Sequence, residues 1–326
     1  MADRPPRPTP FPYDRERVRA GHYTDACILN ASLILDQLVA ERYRYAGQFP
    51  RVPPGRYGVQ GTPVGSLETE MHFVPRGRPW SMVCGVHHAL QVIKECGGGV
   101  GRTRRGSVGR CLSVEAVPEG TKTRPGVPVL VLRGEYRRFG YLETVLLGIL
   151  ARQTRIATAA YRLLSAARGK SVFFFPARFD IPETQATDGY AYRVGLERYN
   201  EETSRRVVPY VSTHAQAELW GGQASGTVPH AYLIGFLRDT AEAAVQFARM
   251  LPISVKRIAP VDVNNDCVTD SMRTAVTLFR EFERRVRAGD REGAERYRLF
   301  AVRVDTLEEK VDVSLAPRGA RGSRPG

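Results

Sequence analysis

The sequence predicts an α/β protein: an N-terminal α+β domain followed by a parallel βα array forming a sheet or barrel. Three observations carry this. Beyond about residue 137, short apolar runs alternate with helix-length segments, the pattern of parallel strands joined by crossover helices. Before that point extended segments and helices mix without such alternation. In the second part polar residues gather at or just past the end of each apolar run, and in parallel barrels that rim carries the chemistry.

Along the first part, residues 1–20 are rich in proline and arginine and read as a flexible arm. Thr24 is placed to cap a helix over about 25–44, with Ile28, Leu33, Ile34, Leu35, Leu38 and Val39 as its apolar positions. Residues 50–65 hold many prolines and glycines and read as loop. Extended segments near 67–74, 111–117 and 128–133 and a helix at about 82–95 complete an α+β domain over 21–136. The glycine-rich stretch 97–110 suggests a phosphate loop, but it lacks GxxxxGK[ST] spacing and follows no strand, so it reads as an exposed loop.

The second part, 137–315, opens with helix over about 141–168, carrying Leu142, Val145, Leu146, Ile149, Ile156, Leu163 and Leu164, with Gly169 as a natural stop. A strand at 171–175, a helical stretch through 184–199 and a strand at 207–212 follow. Helices from about 229 and over 239–250, a strand at 257–263, a helix over 268–288 and a strand at 298–304 complete the array. The segment 316–326 has no apolar residue beyond alanine and proline and reads as a disordered basic tail.

Composition narrows the function. The chain has 326 residues, 42% of them hydrophobic, enough for a large core. No segment approaches the ~20 apolar residues of a membrane span, and the first residues lack a signal-peptide pattern. A cytoplasmic protein with no membrane partner is expected. The five cysteines, Cys27, Cys84, Cys96, Cys111 and Cys267, are widely spaced without a CxxC pair, so neither a disulfide framework nor a zinc site is indicated. The net charge is +14, yet only five of the 48 basic residues are lysine, a bias that GC-rich coding also produces. A basic surface favours anionic partners. With no finger spacing, RNA-recognition aromatics or concentrated basic helix, nucleic-acid binding is not expected.

The most informative run is Gly226-Thr227-Val228-Pro229-His230, a glycine, a hydroxyl and an imidazole at a helix start. A helix N-terminus presents free N–H groups to an anion, and a histidine there can act as acid, base or nucleophile. Asp262 and Asp266, four apart around a strand end, suit a metal or a ribose diol, while Asp266 equally suits a helix cap. Arg178 and Arg303 adjoin strand ends, where a guanidinium binds phosphate or carboxylate or forms a surface ion pair. Asp180, Thr213, His214, Asn264, Asn265, Asp305 and Thr306 share this rim. Glu143 lies in an apolar helix pattern and must pair, with Arg178 or Arg155 as candidates, or face a cleft. His87 and His88 fit packing or capping, and no metal-ligand spacing occurs.

The motifs Tyr141-Leu-Glu-Thr-Val-Leu-Leu, Phe174-Phe-Pro-Ala-Arg178-Phe, Gly226-Thr-Val-Pro-His230-Ala, Val261-Asp262 and Val302-Arg303-Val-Asp305-Thr306 occur in an order that resembles nicotinate phosphoribosyltransferase. The resemblance runs from about Thr24 to Leu315 and is strongest over 128–306. It implies a type II phosphoribosyltransferase fold, an N-terminal α/β domain joined to an irregular β/α barrel. It also implies synthesis of nicotinate mononucleotide from nicotinate and phosphoribosyl pyrophosphate in NAD salvage. ATP is then the co-substrate, Mg²⁺ the cofactor, and two copies pair head to tail.

By the same resemblance His230 is the histidine that ATP phosphorylates, and Gly226 and Thr227 form the turn where backbone approaches substrate. Arg178 contacts the phosphoribosyl donor, and Asp262 lies near the ribose. Arg303 is near the pyridine carboxylate with Asp305 beside it, and Glu143 joins the catalytic set. Where the family has an aromatic pair after Thr-Asp, this chain has Thr24-Asp25-Ala26-Cys27-Ile28, leaving Tyr23 or Tyr13 as the stacking ring. With four barrel strands before the tail, the array reads as truncated before closure. A non-catalytic remnant serving as a binding or assembly module, and a quinolinate or nicotinamide phosphoribosyltransferase, are the alternative functions.

Overall fold

The computed structural model describes residues 10–47, 61–101 and 112–305. The expectations for residues 1–9, most of the 97–110 loop, Thr306 and the 316–326 tail lie outside the described residues. The chain packs as two compact units, residues 1–224 and 225–326.

The first unit contains helices α1 (Arg15–Arg19), α2 (Ala26–Ala40) and α3 (Val86–Cys96), then α4 (Glu143–Ala166), α5 (Gln185–Thr203) and α6 (His214–Ala217). Its strands are β1 (Glu68–Phe73), β2 (Ser81–Met82), β3 (Leu112–Ala116), β4 (Lys122–Thr123), β5 (Leu130–Glu135), β6 (Phe173–Phe174) and β7 (Tyr210–Val211). Strands β1, β5 and β3 form an antiparallel sheet in that order, β2 pairs with β4, and β6 pairs in parallel with β7.

The long helix α4 organises this unit. Its buried residues include Leu146, Leu150, Gln153, Ala157, Ala160 and Leu164, a spacing of alternate fours and threes that draws one apolar seam along the helix. Leu146 and Leu150 join the core with Phe73, Leu130 and Leu132 of the antiparallel sheet. Ala160 and Leu164 pack with Tyr192, Leu196 and Tyr199 of α5. A Cβ on Gly195 would meet the Ala157 carbonyl oxygen at 2.5 Å, so glycine permits this close helix crossing. One helix therefore serves both halves, and the units part at 224/225 where the sequence places a boundary at 136/137.

Two local expectations are corrected. Residues 10–20 are not a flexible arm: Phe11 is buried and stacks on the His88 ring at 4.6 Å. The Phe11 N–H donates to Gln91 Oε1 at 2.9 Å, and Arg19 Nη2 donates to the Glu95 carbonyl at 2.8 Å. Thr24 does not cap α2. Asp25 holds that position, and the Thr24 hydroxyl donates to the Tyr141 carbonyl at 2.7 Å.

The second unit comprises α7 (His230–Gly235), α8 (Thr240–Met250), β8 (Arg257–Pro260), α9 (Cys267–Arg287), α10 (Arg291–Glu295) and β9 (Leu299–Arg303). Strands β8 and β9 are parallel, with Pro260 opposite Arg303. Its core gathers Ala244, Ala248, Ala259, Val261, Leu278 and Tyr297. Four short parallel strands thus occur where the sequence places them, in two open pairs, and the described sheets do not close.

Arg257 begins β8 and is 3% exposed without a carboxylate partner among the described residues. Its guanidinium instead donates to the carbonyls of Ala248 (3.0 Å), Leu251 (2.8 Å), Pro252 (2.7 Å), Arg296 (2.9 Å) and Val255. The carbonyls of Ala248 and Leu251 belong to the end of α8, where the helix dipole favours a cation. Arg257→Met should lower the unfolding free energy in urea by about 3 kcal/mol or more, because five carbonyls packed around a buried guanidinium lose their donor. Lysine at this position should recover less than half, since one ammonium cannot reach all five.

His88 gives a pH test. Its Nδ1 accepts from the Gln153 amide at 3.0 Å, so the proton sits on Nε2, which is buried without a partner. Burial pushes this imidazole down to about 4. The unfolded chain binds the proton near pH 6.5, so stability is complete above that value and declines as pH falls toward 4. The decline should reach about 3 kcal/mol, read as the stability of wild type minus that of His88→Gln across the window. Parallel pH curves for the two proteins would contradict this.

Candidate functional site

Strand β8 runs out at Pro260, and the chain continues beside β9 for one more bond, Val261 N–H to the Arg303 carbonyl at 3.1 Å. The next side chain, Asp262, turns back into the fold and is only 1% exposed. A carboxylate so deeply buried needs strong partners on both oxygens. Oδ1 lies 2.9 Å from His230 Nε2, and Oδ2 accepts the backbone N–H of Asp305 at 2.6 Å. The strand end, the neighbouring strand end and the helix start at His230 therefore meet on one carboxylate.

His230 is the first residue of α7, with Pro229 before it in extended conformation. Its side chain is 38% exposed, so the ring reaches solvent while its Nε2 points at Asp262. A carboxylate at Nε2 holds the neutral ring as the Nε2–H tautomer and leaves the Nδ1 lone pair available. This is the dyad geometry of a base or nucleophile oriented by a buried acid.

The remaining second-unit candidates make the following contacts. Arg303 Nη2 pairs with Asp305 Oδ2 at 3.2 Å, and Arg303 Nε is buried without a partner. Thr227 folds locally, its Oγ1 accepting the Val228 N–H at 2.5 Å. A Cβ on Gly226 would meet no atom within 4 Å, so the space beside this backbone is open. Asp266 is the cap of α9, its carboxylate accepting the Thr269 N–H at 3.2 Å. Of the Asp262–Asp266 pair, Asp266 is thus a helix cap and Asp262 the partner of His230.

The predicted residues of the first unit stand as follows. Arg178 sits in a short turn with its guanidinium 5.2 Å from the Phe175 ring centre. Glu143 forms no ion pair with Arg178 or Arg155; as the first residue of α4 it lies at the positive end of the helix dipole. Tyr23 is exposed, edge-on to His22 at 5.1 Å. Asp180, grouped with the rim from sequence, is committed elsewhere: it pairs with Arg152 and accepts the Ile181 N–H at 2.9 Å. Arg152 also holds buried Asp188 through two bonds of 2.8 Å, a lock between α4 and α5. Thr213 caps α6 in a reciprocal box with Gln216.

Asp270 carries no mark in the sequence motifs, and Asn264 is marked only as a rim residue. Asn264 Nδ2 donates to Asp270 Oδ2 at 2.9 Å and to the Arg238 carbonyl at 3.1 Å. Burial raises the Asp270 carboxyl above the ordinary aspartate range, opposed by its bonds to Asn264 and Thr240. A buried polar position inside the amphipathic pattern of α9 was the available signal. Among the described residues no three His, Cys, Asp or Glu side chains converge to hold a metal ion. No described helix is long and apolar enough to cross a membrane.

Residues 60–154 match the family model described as quinolinate phosphoribosyl transferase, N-terminal domain. Over 65 residues, 20% of this chain and 14% of the relative, the sequence is 38% identical to a nicotinate phosphoribosyltransferase of Mycobacterium tuberculosis. The structure is similar to that of nicotinate-nucleotide pyrophosphorylase from Pyrococcus furiosus, with a TM-score of 0.60 and 28% identity. That match covers 92% of this chain and 61% of the other. The chain thus spans less than two thirds of the length of these relatives. The fold is that of the type II phosphoribosyltransferases, and the matches divide between quinolinate and nicotinate within that group.

Proposed function

We propose that this chain is a nicotinate phosphoribosyltransferase, forming nicotinate mononucleotide from nicotinate and phosphoribosyl pyrophosphate, with ATP spent through a phosphohistidine at His230. The observation that carries this reading is the His230–Asp262 dyad, 2.9 Å apart and backed by a buried carboxylate. The identity to the Mycobacterium tuberculosis relative supports it.

In this reading the His230 Nδ1 lone pair attacks the terminal phosphorus of ATP. The N–P bond forms as the bond to the ADP oxygen breaks, and the proton stays on Nε2. The ring becomes cationic, and the Asp262 carboxylate stabilises it. In the transfer reaction pyrophosphate leaves the anomeric carbon and the pyridine nitrogen replaces it. Arg303, with its unpartnered Nε, suits the substrate carboxylate. Magnesium would come with the polyphosphate substrates. The parts assigned to Arg178, Glu143, Gly226, Thr227 and Tyr23, and the pairing of two copies, belong to this proposal and rest on motif order.

A second reading, a quinolinate phosphoribosyltransferase, is favoured by the quinolinate family model over residues 60–154 and by the nicotinate-nucleotide pyrophosphorylase neighbour from Pyrococcus furiosus. The two separate in one assay of pyrophosphate release. Nicotinate with phosphoribosyl pyrophosphate should release pyrophosphate, faster with ATP present, and quinolinate should not. Release from quinolinate that ignores ATP would favour the second reading. His230→Ala should abolish the ATP effect, and Asp262→Ala should slow phosphohistidine formation by about a hundredfold or more.

A further inference from the structure

We propose that Asn264 is a positioning residue for His230, its amide tying the loop that carries Asp262 to the turn that ends the helix carrying His230. This rests on the reading of His230 as the reacting group. Helix α7 has six residues, too few to hold a fixed orientation by its own hydrogen bonds. It is anchored by buried Leu233 and by the Tyr232 hydroxyl, which donates to the Ala243 carbonyl at 3.0 Å.

The exit from α7 is unusual. Leu237 and Arg238 both adopt left-handed backbone, φ 55° and 66°, and neither is glycine. Each such residue costs on the order of 1 kcal/mol or more and persists only where surrounding contacts enforce it. The Leu237 side chain is 92% exposed and supplies no packing to do so. Local bonds help: Arg238 N–H donates to the Leu233 carbonyl and Leu237 N–H to that of Ile234, each at 2.9 Å. The tertiary bond comes from Asn264, whose amide reaches the Arg238 carbonyl from 26 residues away.

Asn264 is itself held. The same amide donates to Asp270, which also bonds to Thr240, and Thr274 donates to Thr240 at 3.3 Å. Asp270, Thr240 and Thr274 are all buried. The network runs from the interior of α9 to the loop two residues beyond Asp262. That loop thus grips α7 at both ends, Asp262 at His230 and Asn264 at the turn after Gly235. Without the second grip, α7 can pivot and the His230 Nε2–Asp262 contact loosens.

The test uses the full chain with ¹⁵N-labelled histidine. In wild type the His230 ring should show the separated ¹⁵N shifts of a single Nε2–H tautomer. Asn264→Ala should move the two shifts toward each other while the amide spectrum stays folded. Asn264→Asp should do so more strongly, since it loses the donors and faces Asp270. Histidine phosphorylation by ATP should fall about tenfold in both. The ring signal reports position without turnover, so a chain that never phosphorylates would sink the functional proposal and leave this one standing on the shifts. Unchanged His230 shifts in both variants would overturn it.

Discussion

The carboxylate of Asp262 is the interaction on which the second unit depends. It is almost wholly removed from water, and each of its oxygens has a separate partner. One fixes the ring of His230. The other takes the Asp305 N–H and so closes the end of β9 against the end of β8. Removing the carboxylate would strand an imidazole and a backbone donor together. The same group that orients the His230 ring also finishes the parallel pair, so local fold and the candidate site are coupled.

Strand β8 is held by charge at both ends. Arg257 at its start gathers the carbonyls at the end of α8 and the loop that follows. Asp262 just past its finish gathers α7 and β9. A strand of four residues has little pairing energy of its own, and these two buried ions set its position. In the first unit the equivalent organiser is apolar, the seam of α4 that packs sheet on one stretch and α5 on another.

Much of this was legible in the chain. Alternation of apolar runs and helical patterns located the four parallel strands and the helices between them, because periodicity is local. His230 and Asp262 stood out because a histidine at a helix start and an acid at a strand end are residue types that can carry chemistry, set in a run of ordered motifs. Partnership was not legible. Asp180 looked like a rim residue until Arg152 claimed it, and Asp305 contributes a backbone N–H as well as its carboxylate. Residues 10–20 read as an arm because they are rich in proline and arginine, yet the buried Phe11 ring over His88, buried Val18 and hydrogen bonds to Gln91 and Glu95 fasten the segment. Asn264 carried no signal beyond its type, since its role comes from a left-handed turn 26 residues earlier.

In the proposed reaction Asp262 fixes which nitrogen of His230 reacts. The direct measurement is to incubate the chain with ATP and locate any phosphate by ³¹P–¹⁵N correlation on labelled histidine. Phosphate on Nδ1 of His230, with Nε2 still protonated, is the predicted result. Phosphate on Nε2, or on another histidine with His230 unmodified, would contradict it.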